Sequence, residues 1–148
     1  MAARRASGFL IYRFFSNEIQ YLLLRASYAG YHWTPPKGHA HSGESDFETA
    51  LRETREETGY IEKDLIIYKD ISRTLNYRVK KKPKVVTYFL AQLKDPFLMP
   101  ILSEEHTEFK YLTKRETILL SGYKNFGEMI EYFDKEIRKI HSNAQINL

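Results

Sequence analysis

An α/β fold, with a sheet covered by helices, is what three features of this 148-residue sequence predict. Runs of strand-forming residues recur along the chain, and capping boxes at Ser45 with Glu48 and at Thr113 with Glu116 mark helix starts. The last long segment carries apolar residues at helical spacing. Strands precede and follow helices in mixed order, which fits one domain, 1–148, with helices on both faces of the sheet.

Ser7 to Phe15 (SGFLIYRFF) and Ile19 to Ala26 (IQYLLLRA) read as a β-hairpin turning at Ser16-Asn17-Glu18. Their near-continuous apolar character predicts burial on both faces. In Tyr28 to Gly38 (YAGYHWTPPKG), Pro35 and Pro36 exclude a helix and predict a rigid loop that delivers Lys37 and Gly38 to the next element.

That element is a helix from Ser45 to a left-handed stop at Gly59. Phe47, Ala50, Leu51, Thr54 and Thr58 form its packing stripe. Glu53, Glu56 and Glu57 share a different face.

Leu65 to Thr74 and Val85 to Leu93 predict two strands, joined through Asn76, Tyr77 and the basic stretch Arg78 to Lys84, where Pro83 argues against a continuous strand. Lys94 to Ser103 is a loop, Thr107 to Leu112 a short strand, and Thr113 to near Gly122 a short helix. Asn125 with Glu128 predicts the start of the longer helix, with Phe126, Met129, Ile130, Phe133, Ile137 and Ile140 on its buried face. His141 to Leu148 reads as a frayed polar tail.

The 23 Lys and Arg against 19 Asp and Glu leave a charge of +4, although the stretch 38–60 is acidic. Positive charge is therefore concentrated elsewhere, and phosphate-bearing ligands are its natural partners. No recognised nucleic-acid module or long basic helix is visible, so no specific nucleic-acid partner is expected. The absence of cysteine fits a cytoplasmic chain, or one also in the nucleus. The N-terminus begins basic and turns apolar, but Arg13 breaks the run and no cleavage-like end follows. No segment approaches the roughly 18 apolar residues of a membrane span.

Glu53, Glu56 and Glu57 repel one another by a few tenths of a kcal/mol per pair, in the helix turns where the dipole disfavours negative charge. The arrangement weakens the helix unless a cation binds. The donors are hard oxygens without thiolate, which favours Mg²⁺ or Mn²⁺. A solvated face laced by Arg52 and Arg55 is the plain alternative.

The spacing argues against that alternative. Gly38, five residues, Glu44, seven residues, then Arg52-Glu53-Thr54-Arg55-Glu56-Glu57-Thr58-Gly59 resembles the Nudix box, the signature of hydrolases acting on nucleoside diphosphates linked to another group. Thr54 and Tyr60 depart from its usual aliphatic residues. The resemblance implies a Nudix α/β/α sandwich with a mixed central sheet. It also implies metal binding by Glu53, Glu56 and Glu57 with the Gly38 carbonyl, orientation of a glutamate by Arg52, and support from Glu44. For the general base it leaves two candidates, Glu57 and the later Glu105, which is also a candidate distal metal ligand.

His32-Trp33-Thr34-Pro35-Pro36-Lys37-Gly38-His39, the RET-x-EE form of the box and Leu75-Asn76-Tyr77 resemble, more narrowly, the animal-type asymmetrical diadenosine tetraphosphate hydrolases. That implies cleavage to ATP and AMP, with His32, Lys37 and Lys84 on the phosphates. Tyr77 would stack on adenine, with Phe126 or Tyr123 as the other wall. A monomer acting on a dinucleoside polyphosphate is expected. The alternatives are a Nudix hydrolase of RNA 5′ ends or diphosphoinositols, and a catalytically silent nucleotide sensor. The complete set of box glutamates speaks against the sensor.

Overall fold

The computed structural model describes residues 4–142. Strands β1 (Arg4–Phe15) and β2 (Glu18–Ala26) form the expected hairpin, and Ser16 and Asn17 take the positive φ values of a tight two-residue turn. β1 is the centre of the sheet. Tyr12–Phe15 pair antiparallel with β2, while the opposite edge runs parallel to β6 (Lys82–Leu93) from Arg4 to Tyr12. β5 (Leu65–Val79) pairs antiparallel with β6, and β7 (His106–Leu112) with β2. The sheet is mixed, as predicted.

Two short strands, β3 (Trp33–Thr34) and β4 (Lys37–His39), add to β2 and β1 respectively. The stretch between Tyr28 and Gly38 is thus stitched into the sheet, with one short 3-10 turn at Ala29–Tyr31 where Gly30 and Tyr31 have positive φ. Gly8 makes this possible, because a Cβ there would overlap the Pro36 carbonyl oxygen.

Alternation along the strands builds two cores. Leu10 and Tyr12 of β1, Tyr21 and Leu23 of β2, and Val86, Tyr88 and Leu90 of β6 face one side. There they meet α3 (Lys124–Ile140) through Phe126, Met129, Ile130, Phe133 and Ile137, each burial contributing about 1.5–3 kcal/mol. Phe9, Ile11, Leu22, Leu24, Phe89 and Ala91 face the other side, against Ala50, Phe47 and Leu51 of α1 (Asp46–Thr58). α2 (Lys114–Ser121) packs on α3. Helices therefore cover both faces.

Three expectations need correction. Pro83 lies inside β6, which runs unbroken from Lys82. Lys80 and Lys81, both at positive φ, form a two-residue hairpin, so Val79 and Lys82 are the hydrogen-bonded pair and Arg78 with Pro83 is not. The missing Pro83 donor therefore interrupts no bond of the β5–β6 ladder.

Asn125 does not cap α3. The cap is Tyr123, without a side-chain hydrogen bond, and the Asn125 amide faces the Asn76 carbonyl at 3.5 Å instead.

His141 is not frayed: Tyr12 Oη and His141 Nε2 are 2.9 Å apart, and its ring packs on Phe14. Residues 143–148 of the predicted tail lie outside the described residues.

Candidate active site

The acidic helix starts and stops where its sequence dictates. Ser45 accepts from the Glu48 N–H, Glu48 returns the bond to the Ser45 N–H, and Gly59 closes α1 at φ 76°. A cap of this kind contributes about 1 kcal/mol. Fixed at both ends, α1 presents its glutamates in three environments.

Glu53 faces β4. A Cβ on Gly38 would overlap its carboxylate, so glycine alone lets backbone and carboxylate approach this closely. Glu56 is exposed. Arg52 joins the two, donating to Glu53 at 2.8 Å and to Glu56 at 3.2 Å, and also to both Glu44 oxygens and the His39 carbonyl. Glu44 in turn accepts from the His41 N–H and Thr49 Oγ1, and the Arg52 guanidinium above all, with these two bonds, holds its carboxyl down at about 2. Arg52 and Glu44 thus form one brace that fixes the box loop to the helix.

Glu57 is buried, with its Oε1 accepting from the Lys37 N–H at 3.1 Å. Burial pushes its carboxyl up to about 8, aided by the nearby charges of Glu53 and Glu105 and opposed by the Lys37 N–H. Glu53 is raised by burial as well. Glu105 is an exposed loop residue whose backbone carbonyl accepts from the Ser27 N–H at 2.8 Å. Among the described residues, no three carboxylate or imidazole groups stand already converged on one point.

A cavity of about 580 Å³ opens beside Glu57, within the size range of small-molecule sites. Seven residues singled out from sequence line it: His32, Lys37, Glu57, Tyr77, Lys84, Tyr123 and Phe126. They come from β4, α1, β5, β6, α3 and the flanking loops, and only the assembled fold brings them together. Lys84 stands near Lys37, and burial plus that like charge pushes its ammonium down to about 8. Tyr77 and Tyr123 meet edge to face at 6.1 Å, with His32 at 6.4 Å from Tyr123. Phe126 is almost wholly buried against Tyr88, so it belongs to the core as well as to the cavity wall. Gly38, Arg52, Glu53, Glu56 and Glu105 lie outside the lining.

Tyr88 and His106 are among the lining residues that were not anticipated. Tyr88 follows Lys84 and Val86 at the two-residue spacing of one strand face, a signal present in the sequence. His106 sits at the start of β7 with its Nε2 3.9 Å from Glu57 Oε1. Its place beside Glu105 was the only local hint.

Comparison with known proteins agrees with this geometry. The NUDIX domain model matches residues 4–133. The asymmetrical bis(5′-nucleosyl)-tetraphosphatase of Caenorhabditis elegans is 41% identical over 129 residues, spanning 87% of this chain and 93% of that protein. The Mus musculus enzyme of the same name is 45% identical over 135 residues, spanning 87% and 92%. Among solved structures, a binary complex of the C. elegans Ap4A hydrolase superposes with a TM-score of 0.90 at 39% identity, covering 93% of this chain and 99% of that one. The E. coli dihydroneopterin triphosphate pyrophosphohydrolase, at 18% identity and a TM-score of 0.74, shares the fold. The chain belongs to the Nudix family, and within it is similar over most of its length to the asymmetrical bis(5′-nucleosyl)-tetraphosphatases.

Proposed function

We propose that this protein hydrolyses diadenosine tetraphosphate asymmetrically, to ATP and AMP, with Mg²⁺ or Mn²⁺ as its ion. The observation that carries the reading is the cavity itself, which sets Lys37 and Lys84 beside the buried Glu57 carboxylate and below a Tyr77–Tyr123 rim. The relatives named above, 41–45% identical, carry the activity in their names.

The residues present fit a divalent ion. Every donor is a hard oxygen, and the Gly38 backbone lies against the Glu53 carboxylate because no side chain separates them. Glu53, Glu56, Glu57 and Glu105, with the Gly38 carbonyl, would hold the metal. A bound ion would lower the pKa of water and neutralise phosphate oxygens.

The remaining chemistry falls to the chain. Lys37 and Lys84 offset the charge of the polyphosphate bridge, with His32 at the cavity mouth. Tyr77 offers an adenine ring a face, with Tyr123 the exposed partner and Phe126 the deeper wall. Water attacks the phosphorus four positions from one adenosine, the bridging P–O bond breaks, and ATP and AMP leave. The water proton passes to a carboxylate, Glu57 or Glu105. Arg52 keeps Glu53 and Glu56 in place throughout.

The enzyme is read as a monomer of the cytoplasm, and of the nucleus as well, in keeping with its lack of cysteine. Among the described residues, no helix is long and apolar enough to cross a membrane.

Chromatography of products after incubation with diadenosine tetraphosphate, with and without Mg²⁺, tests the reading. Equal ATP and AMP, formed only with metal, is the expected result. Two ADP would refute the asymmetric cut, and no turnover would refute the activity.

A further inference from the structure

Glu57 is approached from two sides, and both groups face the same oxygen. The Lys37 N–H of β4 donates to Oε1 at 3.1 Å, and His106 Nε2 of β7 stands 3.9 Å from that same Oε1. Both the histidine and glutamate side chains are only 6% exposed. The other ring nitrogen, Nδ1, is buried and has no hydrogen-bond partner among the described residues.

These facts select a tautomer. An N–H left buried without an acceptor costs more than a bare lone pair in the same place, so the proton belongs on Nε2, where a carboxylate faces it. The separation exceeds a hydrogen bond by roughly 1 Å, a gap closed by a small rotation of either side chain. β7 is anchored at this point: the His106 N–H reaches the Ser103 carbonyl at 3.2 Å, and the Ser27 N–H donates to Glu105 at 2.8 Å. The ring is thereby held at a fixed place relative to β2.

We propose that His106 is a positioning residue, whose Nε2–H joins the Lys37 N–H in occupying Oε1 of Glu57 and leaves Oε2 as the oxygen presented to metal or water. This rests on the reading of Glu57 as base or metal ligand. Partners of this kind, which orient a ligating carboxylate without touching the ion, typically change metal affinity or activity by 10–100-fold when removed. His106 reaches no substrate atom in this role, so its loss acts on kcat and on the metal concentration needed, with little effect on KM.

The first test uses the unaltered, metal-free protein. The ¹⁵N chemical shifts of His106 at about pH 9, where the Glu57 carboxyl is ionised, report the tautomer directly; Nε2–H is expected, and Nδ1–H would overturn the proposal. This measurement does not depend on any activity, so it stands apart from the proposed reaction.

The second test compares His106→Gln, whose amide N–H can reach the Nε2 position, with His106→Leu. His106→Leu should raise the Mg²⁺ concentration for half-maximal Mg²⁺ binding, followed by calorimetry, at least about tenfold. Gln should restore it to within a few fold. Equal losses in both folded variants, or Leu binding Mg²⁺ like the parent, would overturn the role. Should Leu fail to fold, the tautomer and the Gln variant still decide: a Gln variant weakened more than tenfold counts against it.

Discussion

The Lys37 N–H donates to Glu57 Oε1 at 3.1 Å, tying β4 to the last turn of α1. One residue thereby does two things: its backbone holds the buried carboxylate while its side chain lines the cavity. The bond to the carboxylate is made by the backbone, so it does not depend on where the flexible lysine side chain lies. That is how the Pro35-Pro36 loop acts on chemistry, since its rigid path fixes Lys37.

Glu57→Gln should leave the fold intact, because the amide oxygen still accepts from Lys37, while kcat falls at least about 10²-fold. Circular dichroism and steady-state kinetics on diadenosine tetraphosphate check this. Turnover equal to the parent would remove Glu57 from the mechanism.

The stability that Glu57 contributes to the metal-free protein should fall as pH rises. Glu57 is raised to about 8 in the folded state against 4.5 as its ordinary value, so the folded state binds the proton more tightly. Its contribution is fully present below about pH 4.5 and is lost as pH climbs through about 8, by up to a few kcal/mol. Glu53, also raised, works in the same direction. Burial lowers the His39, His106 and His141 imidazoles, which works the other way, so the Glu57 contribution is read as the parent's Tm minus that of Glu57→Gln, a difference that should fall across this window. Added Mg²⁺ should raise Tm more at pH 8 than at pH 5, because binding requires the ionised carboxylates. A parent Tm that does not fall relative to that of Glu57→Gln between pH 5 and 8 without metal would contradict the burial of Glu57.

Local signals were legible in the sequence where chemistry and backbone coincide. Ser45, Glu48 and Gly59 bound α1, and Thr113, Glu116 and Gly122 bound α2, as read. The α3 stripe from Phe126 to Ile137 is buried as its period implied. What escaped depended on partners distant in sequence. Pro83 is tolerated because it falls opposite Arg78 at a non-hydrogen-bonded position of the β5–β6 ladder, a register set across the strand pair rather than by Pro83 itself. Asn125 has the composition of a cap, yet Tyr123 occupies the position. His106 gains its role from Glu57, 49 residues earlier, through strand pairing that no local pattern announces. Likewise the cavity lining from Lys37 to Phe126 is a product of topology, whereas the residue types in it were apparent beforehand.

Tyr77→Ala should raise KM more than it lowers kcat. Stacking on an adenine remote from the reacting phosphorus contributes about equally in ground and transition states, worth about 1–3 kcal/mol. Tyr77 is half-buried and braced edge to face by Tyr123, so its ring is pre-positioned for this use. Initial-rate kinetics over a range of substrate concentrations give the split. A fall in kcat with KM unchanged would assign the ring to the reacting end of the cavity instead.

Lys84→Met should separate charge from packing at the polyphosphate site. The Lys84 ammonium is pushed down to about 8 by burial and by Lys37, so the free enzyme sheds this charge as pH rises through that value. An anionic substrate binds the charged form better, and KM of the parent should therefore climb above pH 8. Methionine keeps the length of the buried stem without the charge, so KM should already be raised about tenfold at pH 7, the equivalent of about 1.4 kcal/mol. It should also change less between pH 7 and 9. Measuring both proteins at saturating Mg²⁺ keeps Glu57 ionised throughout, so the difference between the two profiles belongs to Lys84. Superimposable profiles would mean that the polyphosphate bridge lies out of reach of Lys84 and that Lys37 carries the charge neutralisation alone.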